Sequence, residues 1–159
     1  LITKSVDVIH KFSKKLRPTV LDDLGLLAAM KALIKEFSQA NGINIVLETK
    51  CTLNNLSELQ NTVLYRILEE ALTNAAKHSN AQELVINVAI KKVGKILDLV
   101  VQDNGSVKKY SNLLKTKNSD STSGIGLVGM AERARVIGGK LTVISRPKLG
   151  TTVEAQIPL

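Results

Sequence analysis

Apolar residues recur along this chain at two periods, and the changes of period mark its elements. Ile2, Val6, Ile9, Phe12 and Leu16 fall three or four residues apart, which predicts a helix over 2–16. Pro18 should end or kink it, because proline lacks the N–H that a helix interior needs. Asp22 or Asp23 is placed to cap a second helix from Leu24 to Ala40, and Asn41-Gly42 offers a left-handed stop. Ile43 to Thr49 alternates and is rich in β-branched residues, so it predicts a strand. Ser57 with Gln60 forms a capping box that opens a long helix running to about Ser79. Leu84–Ile90 and Ile96–Val101 predict antiparallel strands joined through Lys91–Lys95, with Gly94 in the turn. Residues 106–123 are rich in Ser, Asn and Lys and lack a period, which predicts a loop of functional length. A helix follows from about Gly126 to Val136, stopped by Gly138-Gly139. Leu141–Ser145 and Thr151–Ile157 complete the strands, with Pro147 to Gly150 between them. The predicted class is α+β, a mixed sheet covered on one face by helices.

Composition narrows the function only by exclusion. The chain has 159 residues, 3% aromatics and no Trp, so the core must be aliphatic and no stacking platform for single-stranded nucleic acid is present. The formal net charge of +8 suits an anionic partner, such as a polyphosphate, a nucleic acid or a membrane surface. Lys11, Lys14, Lys15 and Arg17 lie close together, but no motif supports direct nucleic-acid binding. Cys51 is the only cysteine, which excludes an internal disulfide and fits a packing role in a reducing compartment. No apolar run approaches the length of a membrane span. The absence of an initiator Met reads as a fragment of a longer protein, whose parent could be anchored in a membrane with this part in the cytoplasm.

Three segments carry candidate chemistry. On the helix containing residues 70–78, a rotation of about 100° per residue sets Arg66, Glu70, Asn74 and Lys77 in one arc, with Leu64, Leu68, Ala71, Leu72 and Ala75 opposite. The Asn74 amide oxygen can serve a hard cation such as Mg²⁺, Glu70 can orient a nucleophile or a metal-bound water, and Lys77 can neutralise phosphate. The same arc also reads as an ordinary solvated face. Asp103-Asn104-Gly105 follows a strand, where a carboxylate can accept from the exocyclic amine of adenine and Gly105 allows close approach. It is equally strong turn chemistry. Gly124-Ile125-Gly126-Leu127-Val128-Gly129-Met130 opens a helix, where backbone N–H groups can cradle phosphates. It is neither a Rossmann fingerprint, since no strand precedes it, nor a P-loop.

The order of these segments resembles the ATPase family of gyrase, the heat-shock chaperones, MutL and the histidine kinases. Residues 66–81 look like the histidine-kinase N-box, Val101 to Gly105 like the first glycine box, Gly124 to Met130 like the second, and Gly150-Thr151-Thr152 like the C-terminal Gly-Thr segment. Leu16-Arg17-Pro18 with Leu21 to Leu26, Leu64-Tyr65-Arg66-Ile67, and Glu132-Arg133 before Gly138-Gly139 are similar to sensor kinases of the NarL/DesK type. That resemblance implies a two-layer α/β sandwich of the GHKL (Bergerat) type, with residues 1–20 as the tail of a dimerisation helix plus junction and 21–159 as the ATP-binding domain. It implies ATP and Mg²⁺ as cofactors. Asn74 would ligate Mg²⁺, Glu70 would polarise the attacking group or position a water, and Asp103 would read adenine with Thr151 or Thr152 nearby. Gly105 would admit the base. Gly124, Ile125, Gly126, Leu127 and Gly129 would line the triphosphate, Lys77 and His78 would lie near it, and 106–123 would form a lid. The phosphoryl acceptor would be a His upstream of Leu1, since His10 lies too near Arg17 and is followed by Lys11. The partners implied are the protein's own dimerisation domain and a response regulator with a LuxR-type output. Val107 stands where the first glycine box usually has its second glycine. A nucleotide-binding pseudokinase and an anti-sigma-type serine kinase are the competing readings.

Overall fold

The computed structural model describes residues 18–78, 85–105, 122–146 and 149–159. The predicted helix over 2–16, His10, the basic cluster at 11–17, Val107 and nearly all of the predicted lid lie outside them.

The described chain runs α1 (Thr19–Asn41), β1 (Asn44–Thr49), α2 (Glu58–His78), β2 (Val85–Val93), β3 (Ile96–Asp103), α3 (Thr122–Val136), β4 (Lys140–Arg146) and β5 (Gly150–Pro158). From the second predicted helix onward, this is the predicted order. The strands form one mixed sheet ordered β1-β2-β3-β5-β4, in which only β1 and β2 are parallel. A parallel pair needs a long crossover, and α2 supplies it.

Two helix starts differ from expectation. α1 begins at Thr19 behind Pro18, which is tolerated there because the first N–H groups of a helix lack partners anyway. Asp22 and Asp23 therefore lie within the first turns, ahead of the break. Gly25, at φ 80° and ψ 175°, then breaks the helical path. The left-handed Gly42 closes α1 as expected, donating its N–H to Ser38 O. α3 begins at Thr122, about four residues early, so the glycine run lies within the helix and not ahead of it. α2 starts as the sequence predicts: Ser57 N donates to Gln60 Oε1 at 2.8 Å and Gln60 N donates to Ser57 Oγ at 3.1 Å.

Strand alternation divides the sheet into two faces. Leu97, Leu99, Val101, Val153, Ala155 and Ile157 are buried beneath the helices. They meet Ile67, Leu68, Ala71 and Leu72 of α2 and Met130 and Ala134 of α3 in one aliphatic core. Each of the larger of these side chains contributes about 1.5–3 kcal/mol by leaving water. Cys51 is half-buried and packs against this core as a free thiol. The other face carries Val46, Asp98, Gln102, Ile144 and Thr152 by register. Among the described residues, no helix is long and apolar enough to cross a membrane.

Candidate functional site

α2 lies between α1 and α3, and its contact with α3 joins two of the sequence motifs. A side chain at Gly126 would collide with the Glu70 carboxylate and lie 3.6 Å from Asn74 Nδ2. The missing Cβ therefore lets α3 bring its second turn against the carboxylate and amide of α2. Asn74 Nδ2 is buried without a hydrogen-bond partner. Among the described residues, Glu70 makes no hydrogen bond or ion pair. A buried polar group normally finds a partner, so the open Asn74 donor, with the half-buried Glu70 carboxylate beside it at Gly126, is a candidate place for a ligand.

The second cluster lies at the end of β3. Asp103 Oδ1 accepts from Gly105 N at 2.8 Å and from Thr151 N at 3.3 Å. Burial pushes the Asp103 carboxyl above its ordinary value, and these two N–H donors pull it partly back. Gly150, at φ +85°, lets the start of β5 press against this turn, since a Cβ there would overlap the Asp103 carbonyl and reach within 3.0 Å of Asn104 Cα. Gly105 is buried at the same turn.

Other predicted residues fall variously. Lys77 is exposed one turn beyond Asn74 on α2, and His78 ends that helix. Gly124 lies in the first turn of α3, and Ile125 is 71% exposed beside it. The Leu127 side chain is buried in the core, so only its backbone can face a ligand. The place of a Gly129 side chain is taken by Arg133, whose Nη1 would lie 3.1 Å from a Cβ there. Thr151 and Thr152, read as alternatives, separate cleanly. Thr151 donates to Asp103, whereas Thr152 pairs with Gln102 in register and lines a hollow on the opposite face of the sheet. Arg66 also leaves the expected arc: it donates to Glu69 Oε2 at 2.6 Å and borders a cleft of about 440 Å³ between α1 and α2.

Two positioning residues escaped the sequence. Asn104 Oδ1 accepts from Val85 N at 2.9 Å, and its own N–H donates back to Val85 O, which ties the Asp103 turn to the start of β2. Ser145 Oγ lies 3.2 Å from Thr151 Oγ1. The first was hidden because Asn in Asp-Asn-Gly is fully explained as turn chemistry. The second depends on the β4–β5 register.

A family model described as histidine kinase-, DNA gyrase B- and HSP90-like ATPase matches residues 60–159. The chain belongs to that family. Within it, the relatives and solved structures this chain resembles are histidine kinases. The chain is 30% identical over 159 residues to the oxygen sensor histidine kinase NreB of Staphylococcus carnosus, covering 100% of this chain and 44% of that protein. The chain thus spans less than half the length of that relative. In fold it matches the nucleotide-free catalytic domain of the histidine kinase ThkA, with a TM-score of 0.66, 20% identity, and coverage of 84% of this chain and 89% of that one. Full-length ShkA in complex with AMPPNP gives a TM-score of 0.67 at 20% identity, over 84% of this chain and 29% of the other. The two-layer sandwich predicted from the motifs is the fold of these domains.

Proposed function

We propose that residues 21–159 hold ATP with Mg²⁺ between α2, α3 and the Asp103 turn. The γ-phosphoryl would pass to a His on a dimerisation helix whose tail is residues 1–20, and from there to a response regulator with a LuxR-type output. The observation that carries this reading is the meeting of Glu70, Asn74 and Gly126. The Glu70 carboxylate and the Asn74 amide, whose Nδ2 is a buried donor without a partner, stand against a helix whose first turn offers free N–H groups, which favours an anion such as phosphate with its cation at the carboxylate and amide oxygens.

The donor set fits Mg²⁺. That ion keeps several waters and takes one or two protein oxygens plus phosphate oxygens. Asn74 would supply an amide oxygen and Glu70 would hold a metal-bound water or the attacking imidazole. Bound there, the ion would neutralise charge on the transferring phosphoryl group. Asp103 accepts from the adenine amine, fixed in direction by Gly105 N–H and Thr151 N–H. Gly124, in the first turn of α3, offers a free backbone N–H to the phosphates, whereas the N–H groups of Ile125 and Gly126 are taken up within the helix; Lys77 and His78 stand at the same end of α2.

Calorimetric titration of the chain with ATP, with Mg²⁺ and then with chelator, tests the binding half. Saturable binding weakened by chelation is expected, and its absence in both conditions would sink the proposal. Joining the chain to its upstream helices and adding γ-labelled ATP tests the transfer half. Acid-labile, base-stable label on the protein is expected, and bound nucleotide without label would leave a binding domain in place of a kinase.

A further inference from the structure

The sheet ends on β4, and among the described residues nothing pairs with that edge. No backbone group on the outer side of Lys140–Arg146 has a hydrogen-bond partner among the described residues, and neither the Lys140 nor the Arg146 side chain makes an ion pair among them. Lys140, Thr142, Ile144 and Arg146 alternate onto the face of the sheet away from the helices. Ile144 is 46% exposed there. Beside it lies a hollow of about 260 Å³, bounded by Gln102, Ile144, Arg146, Leu149 and Thr152. β4 therefore carries a cationic residue at each end of this face with the exposed Ile144 between them, and a hollow of mixed polar and apolar lining lies behind Ile144 and Arg146, over β5 and β3.

We infer that the free edge of β4 docks an extended acidic segment of a partner protein as a sixth strand. An unpaired edge is a ready template for another strand. Charge decides which one. A second copy of β4 pairing antiparallel about Val143 would set Lys140 opposite Arg146 twice over, and like charges directly opposed are unfavourable. A partner strand with acids six residues apart and apolar residues between them meets Lys140 and Arg146 with opposite charge and covers Ile144. The site lies across the sheet from Glu70 and Asn74, and Thr152 in its wall is next to Thr151, which holds Asp103.

The test uses a capped peptide, Glu-Thr-Val-Thr-Val-Thr-Glu, whose first, third, fifth and seventh side chains share one face in either strand direction. It is titrated into the isotope-labelled full chain, with a Lys-ended version as control. The expected result is amide shift changes along Lys140–Arg146, protection of the outward β4 amides from exchange, and affinity roughly tenfold weaker for the Lys-ended peptide. The double variant K140E/R146E should reverse that preference. The inference is overturned by equal binding of both peptides, by no shift up to millimolar peptide, by shifts centred elsewhere, or by concentration-dependent self-association through β4. Melting of the variant checks that it folds, and the two wild-type titrations stand without it. Nucleotide binding need not be intact for any of these outcomes, so failure here and failure of the kinase reading are distinguishable.

Discussion

α2 presents two polar faces a fraction of a turn apart, and the protein treats them in opposite ways. Toward α1, Arg66 and Glu69 form an ion pair with side chains 17% and 34% exposed, and Thr73 Oγ1 donates to Glu69 O at 2.8 Å. Tyr65 lies against them, its hydroxyl pushed up by burial first and then by the Glu69 carboxylate, with Arg66 opposing. Toward α3, Glu70 is unpaired among the described residues and Asn74 Nδ2 is buried without a partner. The first face is internally satisfied and serves the fold. The second leaves a buried donor unanswered beside an unpaired carboxylate, which costs the fold stability. Helical spacing alone cannot tell the two apart, since both are polar residues three and four apart.

The contrast is broken most severely at Asn74. Asn74→Ala should weaken Mg²⁺-dependent ATP binding by roughly a hundredfold, the loss of about 2.7 kcal/mol, while the melting temperature stays level or rises because an unsatisfied buried donor is removed. Equal losses of affinity and stability would mean that this face serves the fold too. Arg66→Ala should do the reverse. It should cost about 1–2 kcal/mol of stability by leaving Glu69 half-buried and alone, with ATP affinity within about twofold of wild type by calorimetry. A large loss of binding would return Arg66 to the nucleotide face.

Gly126→Ala probes the boundary between helices. Replacing glycine in a helix gains up to about 1 kcal/mol in propensity, and the obstructing atom is the end of the flexible Glu70 side chain. The variant should melt no lower than wild type yet bind Mg²⁺-ATP about tenfold more weakly, because Glu70 must leave its position. Unchanged affinity would show that Glu70 does not need to stand where Gly126 admits it.

These expectations also mark how far the sequence could be read. The Ser57–Gln60 box was legible because both partners lie within one turn. The order of elements was legible because period and glycine positions change together. The N-box, the Asp103 turn and the glycine run could be proposed as a set through their order, and of these the structure brings Gly126 against Glu70 and Asn74. What was not legible depends on contacts distant in sequence. The early start of α3 runs against glycine's poor propensity and rests on packing against α2. Thr151 and Thr152 could be separated only by the register of β3 with β5. Arg66 sits at the border of the predicted arc, and the competing carboxylate at Glu69 decided it.

The smallest effect, and the most discriminating in sign, concerns Asp103. Its carboxyl is raised from 3.8 by burial, against the pull of Gly105 N–H and Thr151 N–H. As pH falls, this carboxyl takes a proton earlier than an ordinary Asp would, and a protonated acid is a poorer acceptor for the adenine amine. Affinity for ATP should therefore begin to drop above the usual carboxylate range. Stability should move the other way. The folded carboxyl holds its proton more tightly than the unfolded one, so this group's contribution is fullest below 3.8 and declines as pH rises through the raised folded value. Asp103→Asn keeps an oxygen for both N–H donors and has no proton to exchange, so it is the reference for both curves. The ratio of wild-type to variant affinity should fall toward a constant at acid pH, while wild-type melting, measured against the variant, improves over the same window. If both quantities fell together, burial would not be the dominant influence on Asp103. Its carboxylate would then belong with the Arg66–Glu69 pair, as a group the fold itself satisfies.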